Sequence, residues 1–190
     1  IKAFAEKTYN AKIKTQVTPE QIAKVRAAQF KDANEKFVAG QYLDAVTSYL
    51  AVLAKYPEIK ESVMAVENVA SAYLDLVLEA KDAKKKEEYR LNADAVEGYL
   101  AERFADHKDK MLMMSAGDAV IRLAAKEVQY KNAANADRLY TEFFTNYRRH
   151  TMSATLAAAK AMEFQKAENY PAAVKYWQII SEIYTNTTFY

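Results

Sequence analysis

An alanine followed four positions later by an aromatic ring recurs three times in this chain: Ala45 and Tyr49, Ala136 and Tyr140, Ala173 and Trp177. A second alanine stands twelve positions before each copy, at Ala33, Ala124 and Ala161. Residues four apart share one face of an α-helix. Small residues on two consecutive helices let the backbones approach closely, because interaxial distance follows the side chains at the contact. The pattern therefore predicts antiparallel helix pairs that bury their apolar faces by stacking on one another. Its best-preserved copy runs from Gly40 to Pro57. There Gly40 permits the reversal between two helices, and Tyr42 closes the turn. Tyr49, Val52 and Leu53 continue the face of Ala45, and Pro57 ends the helix.

The step from Ala136 to Ala173 is 37 residues, and that from Ala45 to Ala136 is 91, which leaves room for one more copy between them. Ala95 and Tyr99 fit that middle copy, although Glu102 and Arg103 stand where Val52-Leu53 and Phe143-Phe144 are apolar. Helix signals agree with four pairs. Thr18-Pro19-Glu20-Gln21 is a capping box with proline at the first helical position. Apolar periodicity then predicts helices to about Ala39, from Gly40 to Pro57, Glu58 to Ala80, Tyr89 to Asp106, Lys108 to Lys131, Ala133 to Arg148, Met152 to Glu168 and Tyr170 to Thr185. The polar run Lys81 to Glu88 is either a loop or a solvated continuation of helix. Phe4, Ala5, Tyr9 and Ile13 form a ragged helical face at the start of the chain.

Composition supports an all-α fold: glycine and proline number three each among 190 residues, and sheets and long loops need the turn residues that are scarce here. The net charge of +2, with both signs mixed along the chain, gives no basic stripe and argues against nucleic acid as a partner. Cysteine is absent, which removes disulfides, thiolate metal sites and cysteine nucleophiles. No apolar run approaches the roughly 20 residues of a membrane span. The chain begins at Ile1, so we expect a processed or excised segment.

Catalytic groups are sparse. His107 and His150 are the two histidines, each near a junction between pairs, where capping explains them better than a metal or a general base. There is no glycine-rich phosphate loop and no nucleophile elbow. Acidic residues such as Asp75, Glu79, Glu87 and Glu88 read as a solvated, ion-paired surface. Met111-Leu112-Met113-Met114 is either an adaptable binding surface or a helix buried on two sides, and burial is the expectation. Tyr184, Phe189 and Tyr190 crowd the C-terminus, where a finished array shows a polar cap.

These repeats resemble tetratricopeptide repeats over roughly residues 19 to 188. The Tyr56-Pro57 ending, echoed by Phe104 to His107 and by Asn146 to His150, is similar to the divergent repeats of bacterial cell-envelope proteins. The resemblance implies an all-α, right-handed α-solenoid of about four antiparallel helix pairs, near 18–57, 58–107, 108–149 and 150–188, with 1–17 as the end of a preceding repeat. It implies a non-enzymatic scaffold that holds a partner's peptide or helix in a concave groove, without cofactor, in the periplasm or at the outer membrane, with the cytoplasm as the alternative. Groove positions carried over from the family are Phe30, Asn34 and Phe37 in the first pair and Glu67 and Ser71 in the second. Ile121, Ala125 and Gln129 follow in the third, and Ala158, Met162 and Gln165 in the fourth. The family's carboxylate-clamping lysines and arginines are missing, so an apolar peptide or helix fits better than an acidic tail. Two alternatives stand beside this: a spacer segment of a longer solenoid, or an all-α enzyme or metal protein using His107 or His150.

Overall fold

A computed structural model describes residues 18–186, and among them the chain forms eight α-helices and no strand. The ragged face before Lys14 and the pair Phe189 and Tyr190 lie outside the described residues. The chain divides after Pro57 into two compact units.

The first unit contains α1 (Pro19–Val38) and α2 (Tyr42–Leu53). The N-terminus of α1 is the capping box read from the sequence: Thr18 Oγ1 accepts the Gln21 N–H at 3.2 Å, and Gln21 Oε1 accepts the Thr18 N–H at 2.8 Å. Ala33 and Ala45 are buried between the two helices, with Phe30, Val46, Tyr49 and Val52 around them.

The second unit contains α3 (Lys60–Glu79), α4 (Ala83–Arg103), α5 (Lys110–Gln129), α6 (Ala133–Asn146), α7 (Ser153–Lys166) and α8 (Tyr170–Asn186). Helix α3 packs on α4 and α5, α5 packs on α6, α4 reaches both α5 and α6, and α7 pairs with α8. Tyr176 of α8 ties that last pair to α6, because its hydroxyl donates to Asp137 at 3.0 Å and its ring meets Phe144 edge-on at 5.7 Å. Aspartates cap two of the starts: Asp82 accepts the Lys85 N–H and Asp109 the Met111 N–H, each at 2.8 Å. Helix α3 ends at Glu79 and α4 begins at Ala83, so most of the polar run Lys81 to Glu88 is neither a long loop nor a continuation of α3 but the solvated first stretch of α4, which starts before the expected Tyr89.

Three of the hairpins share one turn. Gly40, Lys131 and Glu168 lie five positions before Ala45, Ala136 and Ala173, and all three have left-handed backbone, with φ of 73°, 60° and 56°. In each turn the next residue's N–H reaches back five positions, from Gln41 to Lys36, Asn132 to Glu127 and Asn169 to Phe164, all at 2.9 Å. These are Schellman endings, which satisfy carbonyls that the helix leaves open. Lysine and glutamate fill a conformation that suits glycine, which hid two turns from a search for glycine. Left-handed backbone costs an L-residue roughly 1 kcal/mol. Lys131→Gly and Glu168→Gly are therefore each expected to raise the urea unfolding midpoint, by about 0.5–1 kcal/mol of stability, while Gly40→Ala lowers it by about as much.

Two register assignments need correction. Ala95 and Tyr99 are exposed, and α4 instead buries Ala93, Glu97, Leu100 and Ala101, with Phe104 just past its end. These stand 43 positions before Ala136, Tyr140, Phe143, Phe144 and Tyr147, so the true middle copy begins at Ala93 and carries a glutamate where its counterpart has a ring. In α8 the buried aromatic is Tyr176, while Trp177 is 43% exposed. A three-residue step from Ala173 places Tyr176 toward α6, and its ring also stacks on Phe164 of α7 at 5.5 Å.

Candidate functional site

The predicted groove residues divide into three groups. In the first unit, Phe30 is buried, Asn34 accepts the Tyr49 hydroxyl, and Phe37 meets Tyr42 and Tyr49 edge-on at 5.8 and 6.5 Å. All three are engaged by α2. Glu67 and Ser71 lie on the seam of α3 and α5. Glu67 takes both Nε and Nη2 of Arg122 at 2.6 and 2.7 Å, and Ser71 accepts from Lys126, whose ammonium also bonds Asp75 at 2.9 Å. On the rest of α5, Ile121 is half-buried and Ala125 and Gln129 are exposed.

The third group, on α7, forms a site. Ala158 and Met162 line one shallow groove of about 510 Å³ with Ala154, Thr155 and Ala159, closed on the α8 side by Ile180 and Tyr184. Gln165 is exposed one turn further along α7. A local reason for this surface is the composition of α7: its alanines at 157 and 161 are buried, and those at 154, 158 and 159 remain partly or fully exposed. Met162 is 53% exposed there. The methionine run of α5 behaves differently from expectation: Leu112 is buried, Met113 and Met114 are half-buried, and Met111 is exposed.

A charged cluster lies inside the second unit, where the sequence reading placed only solvated acids. Glu97 of α4 and Glu127 of α5 are fully buried. Arg138 of α6 donates to Glu97 at 2.7 Å and to Glu142 at 2.7 Å, and Arg90 bonds Asp94 at 2.6 Å and also Glu127. Asn135 donates to both buried glutamates. Four carboxylates thus face two guanidiniums. One oxygen each of Glu97, Glu127 and Glu142 has no hydrogen-bond partner among the described residues. Burial pushes the Glu97 carboxyl up to about 7, with the Glu127 charge adding to the effect and the Asn135 and Arg138 bonds opposing it. Asp94, Glu97 and Glu127 each offer an oxygen within 4.8 Å of the others, which is the donor set of a hard cation. Both arginines already hold those carboxylates, and a proton on Glu97 relieves the crowding without a cation.

Both histidines serve junctions. His150 is buried; its Nδ1 accepts the Met152 N–H at 3.2 Å, and its Nε2 lies 3.1 Å from the Met114 carbonyl. His107 repeats the first bond 43 positions earlier, accepting the Asp109 N–H at 3.1 Å. Gly117, inside α5, leaves room for this junction: a Cβ there would stand 2.7 Å from the His150 ring. Tyr147, stacked on Phe143, donates its hydroxyl at 2.9 Å to the Leu100 carbonyl, one of the last four of α4.

No protein-family model matches the chain, and no curated protein matches it. The class that its own geometry defines is an all-α protein built from helix hairpins. The buried cluster around Glu97 and Glu127 was not expected from the sequence. Its signal was present: counting 43 back from Tyr140 puts Glu97 on an apolar face.

Proposed function

We propose that the chain is a non-enzymatic scaffold of tetratricopeptide-like helix pairs that binds an amphipathic helix of a partner protein along the α7–α8 groove. The observation that carries this reading is the open strip of small and apolar side chains, Ala154, Ala158, Ala159 and Met162, beside Ile180 and Tyr184. A floor of alanines lets a helix backbone approach closely, and apolar rims receive its side chains by ridge-into-groove packing. The neighbouring surface is apolar too: Tyr170, Val174 and Trp177 of α8 are exposed. Engagement of His107 and His150 by backbone amides supports a role without catalysis. An envelope assembly is the setting we favour, on the sequence resemblance alone.

A second reading is supported by the exposed face of α8, which would equally accept a further helix pair of a longer array. The two are separated by affinity capture from the native source with the chain as bait. The scaffold reading expects a protein partner that is retained by Val38→Glu, a control 85% exposed in the first unit, and lost on Met162→Glu. Equal recovery by both variants would remove the groove as the binding site.

A further inference from the structure

A different concavity in the second unit has a different chemistry. It measures about 780 Å³ and lies between the α4–α5 connection, the first turns of α5 and the α6–α7 connection. Lys108, Lys110, Arg148 and Arg149 line it, against Asp106 as the one carboxylate among the described residues of its lining. Four positive charges against one negative give this lining a formal excess of three. Nearby acids are already committed: Asp109 caps α5 and Glu58 pairs with Arg103. Arg148 approaches Glu182 only at 3.8 Å, with both side chains more than half exposed, a contact of little strength. Met113 and Met114 supply a half-buried apolar floor.

We propose that this cleft binds an acidic segment of a protein partner, one in which aspartate or glutamate alternates with aliphatic residues. A cleft lined with charges of one sign focuses the field and attracts the opposite charge. Arginines take carboxylates through paired N–H bonds, and flexible thioethers adapt to varied aliphatic side chains. A single-stranded nucleic acid fits less well, because among the described residues no phenylalanine, tyrosine or tryptophan lines the cleft to stack a base, and the ring of His107 is engaged by Phe104 and the Asp109 amide. This site does not depend on the α7–α8 groove, since the two share no lining residue.

The test is fluorescence anisotropy of the full chain with three labelled probes. These are a peptide alternating glutamate and leucine, the same peptide with glutamine for glutamate, and an oligothymidylate of equal charge. The acidic peptide should bind, with affinity falling as salt rises. The double variant K110E/R149E should weaken it by about tenfold or more while melting like the parent, because both side chains are exposed. Equal binding of the glutamine peptide, tighter binding of the oligonucleotide, an unaffected double variant, or no binding of the acidic peptide would each overturn the proposal.

Discussion

Arg138→Met is expected to destabilise the protein by about 3 kcal/mol at pH 8 and by only about 1 kcal/mol at pH 5. Arg138 is the cation nearest to Glu97, a carboxyl with no solvent exposure, and it also holds Glu142. Removing one partner of a buried pair leaves the other charge uncompensated, and that penalty exceeds the worth of the pair itself. The lower end of the usual range applies because Arg138 keeps about a third of its side chain in water. Below the elevated Glu97 value that carboxyl is neutral, and the variant then loses hydrogen bonds and the partly exposed pairs with Glu142 and Asp94, which are worth less. Urea unfolding at the two pH values measures the difference directly. An equal loss at both would mean that Glu97 does not carry the charge that Arg138 balances.

Glu97→Gln is expected to act in the opposite direction. A carboxyl whose folded value is raised from 4.5 to about 7 binds its proton more tightly when folded. Its contribution is therefore fully present below about 4.5, is lost as pH rises through about 7, and is absent above that. One pKa unit corresponds to about 1.4 kcal/mol, so the ceiling is about 3 kcal/mol. Glutamine mimics the protonated acid: its oxygen can keep the Asn135 and Arg138 bonds, and its amide can donate toward Glu127. The variant should match the parent near pH 4.5 and be more stable by about 2 kcal/mol at pH 8. Taking the difference between parent and variant cancels the titrating groups that do not interact with Glu97. A difference that does not change with pH would show that Glu97 titrates normally.

These two effects concern the part of the molecule least visible in the sequence. Helix content and most boundaries were legible, because capping at Thr18, apolar periodicity and scarce turn residues all act locally. The alanine pairs Ala33 with Ala45, Ala124 with Ala136 and Ala161 with Ala173 are indeed buried, since close helix approach excludes anything larger. The middle pair was misread at Ala95 for a physical reason. Matching rings to rings cannot find a copy whose ring position holds Glu97, and only three-dimensional pairing with Arg138 makes that residue tolerable there. The left-handed turns at Lys131 and Glu168 were hidden in the same way, because a tertiary hairpin can impose a backbone that local preference disfavours.

The groove followed a similar course. Family spacing chose Ala158 and Met162, which do share an open surface, but also chose Phe30, which the hairpin core consumes. Spacing along one helix marks a face; it does not say which helix already covers that face. Glu67 and Ser71 illustrate the point, since α5 answers them with Arg122 and Lys126.

Photo-crosslinking from position 162 tests the scaffold reading most directly. With benzoylphenylalanine in place of Met162, exposure of the native lysate to light should give a discrete adduct. Its crosslinked residue should fall within an amphipathic helical segment of another protein, and the same probe at Val38 should give no such adduct. Absence of an adduct at 162, or the same adduct from both positions, would contradict the assignment of the α7–α8 groove as the binding surface.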